Sequence, residues 1–141
     1  MEEQQVIVST APRIEQYQIM ILDQNRFAAD LFAKGIKKSS TQDPHRYGKR
    51  LKLGTFLKPD ELRATLKTER CDLLIMDLNT ANETGISFIE SLRADNHQFP
   101  IIAISKDRTL SSQAREAGAT GFLTKPVKNS KLCEVVSLHL N

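Results

Sequence analysis

An α/β domain built on a five-stranded, doubly wound parallel sheet is the fold class this sequence predicts. Three observations carry the prediction. Short apolar runs recur along the chain, and four of them stop on a polar residue: Asp23, Asp77, Ser105 and Lys125. Segments with helical periodicity separate the runs, so β and α signals alternate strictly. That alternation implies parallel strands, right-handed crossovers and helices on both faces of the sheet. The length of 141 residues suits one domain and leaves no room for a second of ordinary size.

Residues 1–16 have no clean period and contain Pro12, so a flexible N-terminal arm is expected there, with the domain proper over 17–141. Gln18-Ile-Met-Ile-Leu22, closed by Asp23, is the pattern of a buried parallel strand. Ala28, Leu31, Phe32, Gly35 and Ile36 then recur at i, i+3, i+4, i+7 and i+8, which predicts the buried face of a helix. Ser39 to Gly48 is polar, holds Pro44 and Gly48, and reads as a loop, extended and basic over 39–50. Leu51, Leu53 and Thr55 alternate with Lys52 and Gly54 as a weaker strand. Pro59-Asp60-Glu61 suits the first turn of a helix, where proline's missing donor costs nothing, and that helix buries Leu62 and Leu66.

Leu73-Leu-Ile-Met76 ends at Asp77, and a loop rich in Asn and Thr leads to Gly85. A helix placing Phe88, Ile89 and Leu92 inward follows. Pro100 opens Ile101-Ile-Ala-Ile104, which stops at Ser105. The helical segment from Leu110 through Ala114 to Ala117 closes on Gly118, a natural residue just past a helix end. Gly121-Phe-Leu-Thr124 is a short strand ending at Lys125-Pro126, and Leu132, Val135, Val136 and His139 or Leu140 mark a closing helix.

Composition narrows the class. The apolar content is 40%, with six Phe and no Trp, as expected for a domain with an aliphatic core. No apolar run approaches the ~18 residues of a membrane helix. The start, Met-Glu-Glu-Gln-Gln, argues against a secretory signal. Cys71 and Cys133 lack metal-ligand or CxxC spacing and are expected as buried thiols, which points to a cytoplasmic protein. Residues 34–52 carry seven Lys or Arg against one acid, Asp43, a local charge of +6. Subtracted from the net +3, this leaves the remaining residues at −3. The basic character is therefore local.

In an open parallel sheet ligands bind beyond the carboxyl ends of the strands, where the strand order reverses. Asp23, Asp77, Ser105 and Lys125 would converge there. Singly, such residues are most often a turn former, a local hydrogen-bonder or a solvated lysine. Together they have a definite chemistry. Two neighbouring carboxylates suit a hard divalent cation such as Mg²⁺. A hydroxyl and an ammonium suit the oxygens of a phosphoryl group. Asp77 would be the nucleophile, forming an acyl phosphate, with most of the rate from positioning and charge neutralisation.

Ile19-Met-Ile-Leu-Asp23, Asp72-Leu-Leu-Ile-Met-Asp77 with Gly85 eight residues on, and Gly118-Ala-Thr-Gly-Phe-Leu-Thr-Lys-Pro126 resemble the receiver domains of two-component signalling over about residues 17–140. The resemblance implies a flavodoxin-like, CheY-like (βα)5 fold. It implies Asp77 as phospho-acceptor, with Mg²⁺ held by Asp23, Asp77 and the Asn79 carbonyl. It makes Ser105 and Lys125 the phosphate-binding pair, Phe122 the switching aromatic and Lys125–Pro126 a cis peptide bond. By the same resemblance the phosphoryl group comes from a histidine kinase or phosphotransfer protein. The output is contact with a downstream protein through the face of the fourth helix, fifth strand and fifth helix. Such a chain receives a phosphoryl group and is not itself an enzyme.

The sequence also departs from that family. Where two adjacent acids are usual, this chain has Asp23-Gln24, so Gln24 can offer only a neutral, weak ligand and Mg²⁺ binding should weaken. Thr80-Ala81 lacks the usual Pro, and Lys106 replaces a small residue after Ser105. The stretch from Ser105 to Gly118 is slightly short. The basic loop, with Arg46, Lys49 and Arg50, is long; such a cluster can mark nucleic acid, nucleotide or membrane contact, and a solvated loop is the preferred reading. Two functions follow: a phosphorylated receiver, which is preferred, and a pseudo-receiver that keeps the fold but is phosphorylated poorly because of Gln24. A haloacid-type phosphatase needs a second Asp two residues after the nucleophile, where this chain has Asn79.

Overall fold

The apolar runs around Ile19, Leu74 and Ile102 form the middle of the sheet, where every side chain is covered. The computed structural model describes residues 16–47, 50–80 and 83–140. Its strands are β1 (Gln16–Leu22), β2 (Arg50–Phe56), β3 (Leu73–Asp77), β4 (Ile101–Ser105) and β5 (Gly121–Thr124). They pair in parallel in the order β2-β1-β3-β4-β5. The helices are α1 (Arg26–Gln42), α2 (Pro59–Leu66), α3 (Gly85–Ala94), α4 (Ser111–Ala117) and α5 (Asn129–His139). A single 3₁₀ turn, Arg108–Leu110, precedes α4. The five-stranded α/β expectation is met in class and element order.

Strand alternation divides the apolar residues into two cores. Met20, Leu22, Leu74, Met76, Ile101 and Ala103 point to the side covered by α2, α3 and α4, with Leu62, Phe88, Leu92 and Ala114. Ile19, Ile21, Leu73, Ile75, Ile102 and Ile104 point to the other side, with Ala29 and Ile36 of α1 and Leu132 and Val136 of α5. Burial on both sides is why β3 and β4 read as continuous apolar runs. Pro59 opens α2, as its fixed φ allows. Gly118 ends α4 at φ 123°, and a β-carbon there would also meet the Arg93 side chain at 2.6 Å. Both cysteines are buried and free; burial pushes the Cys71 thiol up to about 12. Among the described residues no helix is long and apolar enough to cross a membrane.

Two expectations are corrected. Ser39 does not begin a loop, because α1 continues to Gln42. The hydroxyls of Ser39, Ser40 and Thr41 donate back to the carbonyls of Ile36, Lys37 and Lys37, at 2.8, 3.1 and 3.0 Å, so these polar residues remain compatible with the helix. The loop that follows is pinned by Tyr47, which is 2% exposed and shares a 2.5 Å hydrogen bond between its hydroxyl and Ser39 Oγ. The buried stripe of α1 is also rotated. Ala29, Phe32, Ala33 and Ile36 join the core, whereas Leu31 is 53% exposed. The sheet sets the centre of the stripe, and the predicted set lay to one side of it. The arm over 1–16 lies outside the described residues except for Gln16, and so does Lys49.

Candidate functional site

The strand order reverses between β1 and β3, since β1 leads to β2 on one side and has β3 on the other. The loops after β1 and β3 therefore diverge and open a crevice at the carboxyl edge. A cavity of about 320 Å³ lies there, lined by Asp23, Gln24, Asn25, Asp77, Asn79, Ser105, Lys106, Asp107 and Lys125. Among the described residues Asp23, Asp77 and Ser105 are the buried polar or charged ones, and all three belong to it.

Each side chain is held by the turn that follows its strand. Asp23 Oδ1 accepts from the Asn25 amide at 2.9 Å, and Asn25 in turn caps α1 through Ala28 N at 3.1 Å. Asp77 Oδ1 accepts from the Asn79 amide at 2.7 Å. Leu78 N donates to Ile104 O at 2.8 Å and Leu78 O accepts from Gly85 N at 3.0 Å, fixing the chain just past Asp77. Gly85 is required at that contact, because a β-carbon would fall 2.5 Å from Leu78 Cα and 2.7 Å from its carbonyl oxygen. Ser105 Oγ accepts from the Asp107 amide at 3.0 Å, which leaves its proton free to be donated. Asp107 Oδ1 is satisfied by Thr109 N and Oγ1, which hold its carboxyl below the usual range.

Lys125 joins the carboxylates. Its backbone amide donates to Ser105 O at 2.9 Å, and the Lys125–Pro126 bond is cis. Its Nζ touches Asp77 Oδ2 and lies 3.7 Å from Asp23 Oδ2. Burial opposes the lysine's charge, but the hydrogen bond and charge of Asp77, with the charge of Asp23, outweigh it and raise its pKa. Burial also raises Asp23; the Asn25 amide opposes this, the Asp77 charge adds to it and Lys125 offsets part. Asp23 Oδ2 is buried without a hydrogen-bond partner among the described residues.

The residues read from the sequence thus divide. Asp23, Gln24, Asp77, Asn79, Ser105 and Lys125 share the cavity, with Gln24 exposed at its rim. Phe122 does not line it and packs, partly buried, against the core under α2, α3 and α4. Arg46 and Arg50 lie at the other end of the sheet. Asn25 and Asp107 escaped the sequence reading. Their signal was present but local: each follows a site residue by two positions, where Asx side chains and amides fold back.

A family profile described as "Response regulator receiver domain" matches residues 46–137. The response regulator protein PilR of Pseudomonas aeruginosa is 33% identical over 82 residues, 57% of this chain and 18% of that protein. The putative two-component response regulator ARR13 of Arabidopsis thaliana is 22% identical over 124 residues, 86% of this chain and 20% of that protein. The chain therefore spans about a fifth of the length of these relatives. Among solved structures, a two-component response regulator from Clostridium difficile superposes with a TM-score of 0.76 at 15% identity, covering 89% of this chain and 96% of the other. CheY4 of Vibrio cholerae gives 0.71 at 18% identity, covering 88% and 98%. At these identities the structural likeness shows the fold.

Proposed function

The chain belongs to the response regulator receiver domain family of two-component signalling, and from that premise we propose that Asp77 is its phospho-acceptor. The observation that carries this is the shared cavity in which the Asp77 carboxylate meets the Lys125 ammonium beside Asp23 and Ser105. Asp77 would attack the phosphorus of a phosphohistidine on a kinase or phosphotransfer protein. The P–O bond to Asp77 forms as the P–N bond breaks, and the imidazole leaves with the electron pair and takes a proton from solvent. Lys125 neutralises charge on the transferred oxygens, and the free Ser105 proton is available to one of them.

Receiver domains generally bind Mg²⁺ at their acidic pocket, and the residues here fit a hard cation. Asp23 Oδ2, buried without a hydrogen bond and 3.7 Å from the Lys125 ammonium, is an oxygen such a cation would take. Asp23, Asp77 and the Asn79 carbonyl would hold it, with Gln24 as a neutral and weak fourth donor; when bound it neutralises charge on the incoming phosphoryl group. Asp23 and Asp77 are the two charged donors of this set, so its ligand charge is low.

Phe27 and Leu31, 72% and 53% exposed at i, i+4 on α1, lie just after the cavity residues Gln24 and Asn25 and suit docking of the phosphodonor protein. The face of α4, β5 and α5 would carry the output to a downstream protein. Incubation with acetyl phosphate and Mg²⁺ tests the proposal by mass spectrometry. A gain of one phosphoryl group on the chain, and none on Asp77→Asn, is expected. No gain on the unmodified chain would leave the pseudo-receiver reading in its place.

A further inference from the structure

The local charge of +6 over residues 34–52 lies away from Asp77. Arg50 opens β2 and pairs with Gln16, the first residue of β1, so it sits at the amino edge of the sheet. Asp23 and Asp77 sit at the carboxyl edge, about 20 Å away for a seven-residue strand. Helix α1 begins beside the cavity and runs back toward the Arg50 edge, presenting Lys34, Lys37 and Lys38 to solvent on its later turns. These three recur at i, i+3 and i+4 and so share one face. Tyr47 then folds the following loop over the end of α1, since its hydroxyl bonds Ser39 Oγ, and brings Arg46 to the same pole.

These cations lack carboxylate partners, although the Arg46 guanidinium lies over the Tyr47 ring, 5.9 Å from its centroid. Among the described residues none of Lys34, Lys37, Lys38, Arg46 or Arg50 has a carboxylate within 4.0 Å, whereas Lys52 takes Glu69 at 3.6 Å. Arg46 Nε is buried with no acceptor, although a guanidinium N–H ordinarily finds one. A lysine or arginine on the edge strand β2 has a simpler role in blocking edge-to-edge pairing. That role does not extend to the three lysines of α1.

We infer that this pole binds the phosphate backbone of duplex nucleic acid without reading its sequence. The surface chemistry selects that partner. Phe27 and Leu31 are exposed toward the cavity end of α1, but segment 34–52 itself exposes no large apolar side chain among its described residues, so the pole lacks the aromatic anchors of a protein interface. Its one aromatic, Tyr47, is 2% exposed and cannot serve as a stacking platform for single-stranded bases. A row of long cations without carboxylate partners is sufficient for the counterion-release binding of a duplex.

Fluorescence anisotropy of a labelled duplex of about 20 base pairs, titrated with the chain, tests this. Micromolar binding at low salt is expected, unchanged by scrambling the sequence. With three to five phosphates neutralised, log K should fall against log salt with a slope of about −3 to −4.5. Lys37→Glu/Lys38→Glu should weaken binding at least tenfold, with Lys37→Gln/Lys38→Gln as a milder pair. Lys58→Glu/Lys67→Glu, with the same change in net charge elsewhere, and Asp77→Asn should both bind as the unmodified chain does. A slope near zero, no binding at low salt, or equal loss in the two charge-swapped pairs would overturn the inference. So would polyglutamate binding as tightly as the duplex at equal charge, which would mark an acidic protein as the partner.

Discussion

Replacing Lys125 by Met leaves two buried carboxylates facing each other without the cation that joins them. The Lys125 Nζ touches Asp77 and lies 3.7 Å from Asp23. At an effective dielectric near 20, an ion pair at about 4 Å is worth about 4 kcal/mol, so the two carboxylates together attract the ammonium by about 8 kcal/mol. Desolvating the ammonium and ordering its long side chain cancel several kcal/mol of this. The side chain keeps 22% of its surface exposed, which screens it further. A net loss of about 3 kcal/mol is expected at neutral pH, the lower edge of the range for stripping one partner from a buried pair. For a chain of this length that is a Tm lower by about 10 °C.

The pH dependence distinguishes this cause from a simple packing defect. Asp23 already titrates above its ordinary value of 3.8, and loss of Lys125 pushes it higher. As pH falls through that titration the repulsion disappears, so the deficit of Lys125→Met narrows on the acid side. On the alkaline side the unmodified chain loses its own advantage as pH passes the raised Lys125 pKa, above 10.5. The deficit is thus widest between the two. Urea denaturation at about pH 5 and about pH 7.5 measures it, and Asp23→Asn in the Lys125→Met background should recover at least half. Equal stability of the two proteins at neutral pH, or a deficit that does not change on acidification, would refute the electrostatic account.

Four further outcomes follow from the same geometry. Gly85→Ala forces a β-carbon into the Leu78 backbone at 2.5 Å; calorimetry should show about 1–3 kcal/mol lost, and acetyl phosphate labelling should slow severalfold because the displaced loop carries Asn79. Arg93→Met removes donors to the carbonyls of Gly118 (3.0 and 2.8 Å), His97 (2.9 Å) and Phe99 (2.8 Å), at about 2–4 kcal/mol in urea denaturation. Arg93→Lys should regain less than half, since an ammonium cannot reproduce the fork. Gln24→Asp adds ligand charge at the rim of the cavity and should tighten Mg²⁺ binding about tenfold by calorimetric titration. Phe27→Glu should cut phosphotransfer from a donor protein at least tenfold while leaving acetyl phosphate labelling intact, as a docking residue outside the cavity would.

Much of the fold was legible because its signals are local. Ile101-Ile-Ala-Ile104 and Leu73-Leu-Ile-Met76 are too short for helices and apolar on both sides, so they read as central strands without any knowledge of their partners. The polar residues that end those runs, Asp77 and Ser105, mark a candidate functional edge for the same reason: a parallel sheet brings all its carboxyl ends to one side. Helix α1 was read less well. The serines and threonine that looked like a loop satisfy their own hydroxyls within the helix, and Leu31 is exposed because the sheet sets which arc is covered.

What the amino-acid sequence alone determined is the class of the fold, the order of its elements and the identity of Asp23, Asp77, Ser105 and Lys125 as a set. What only the tertiary structure decided is how those groups meet. The position of the Lys125 ammonium on Asp77 and its approach to Asp23 depend on residues at the ends of different strands arriving together. Interactions across that distance leave no periodicity in the chain. The basic pole is legible as a charge run, but its place at the amino edge of the sheet follows from the pairing of Arg50 with Gln16.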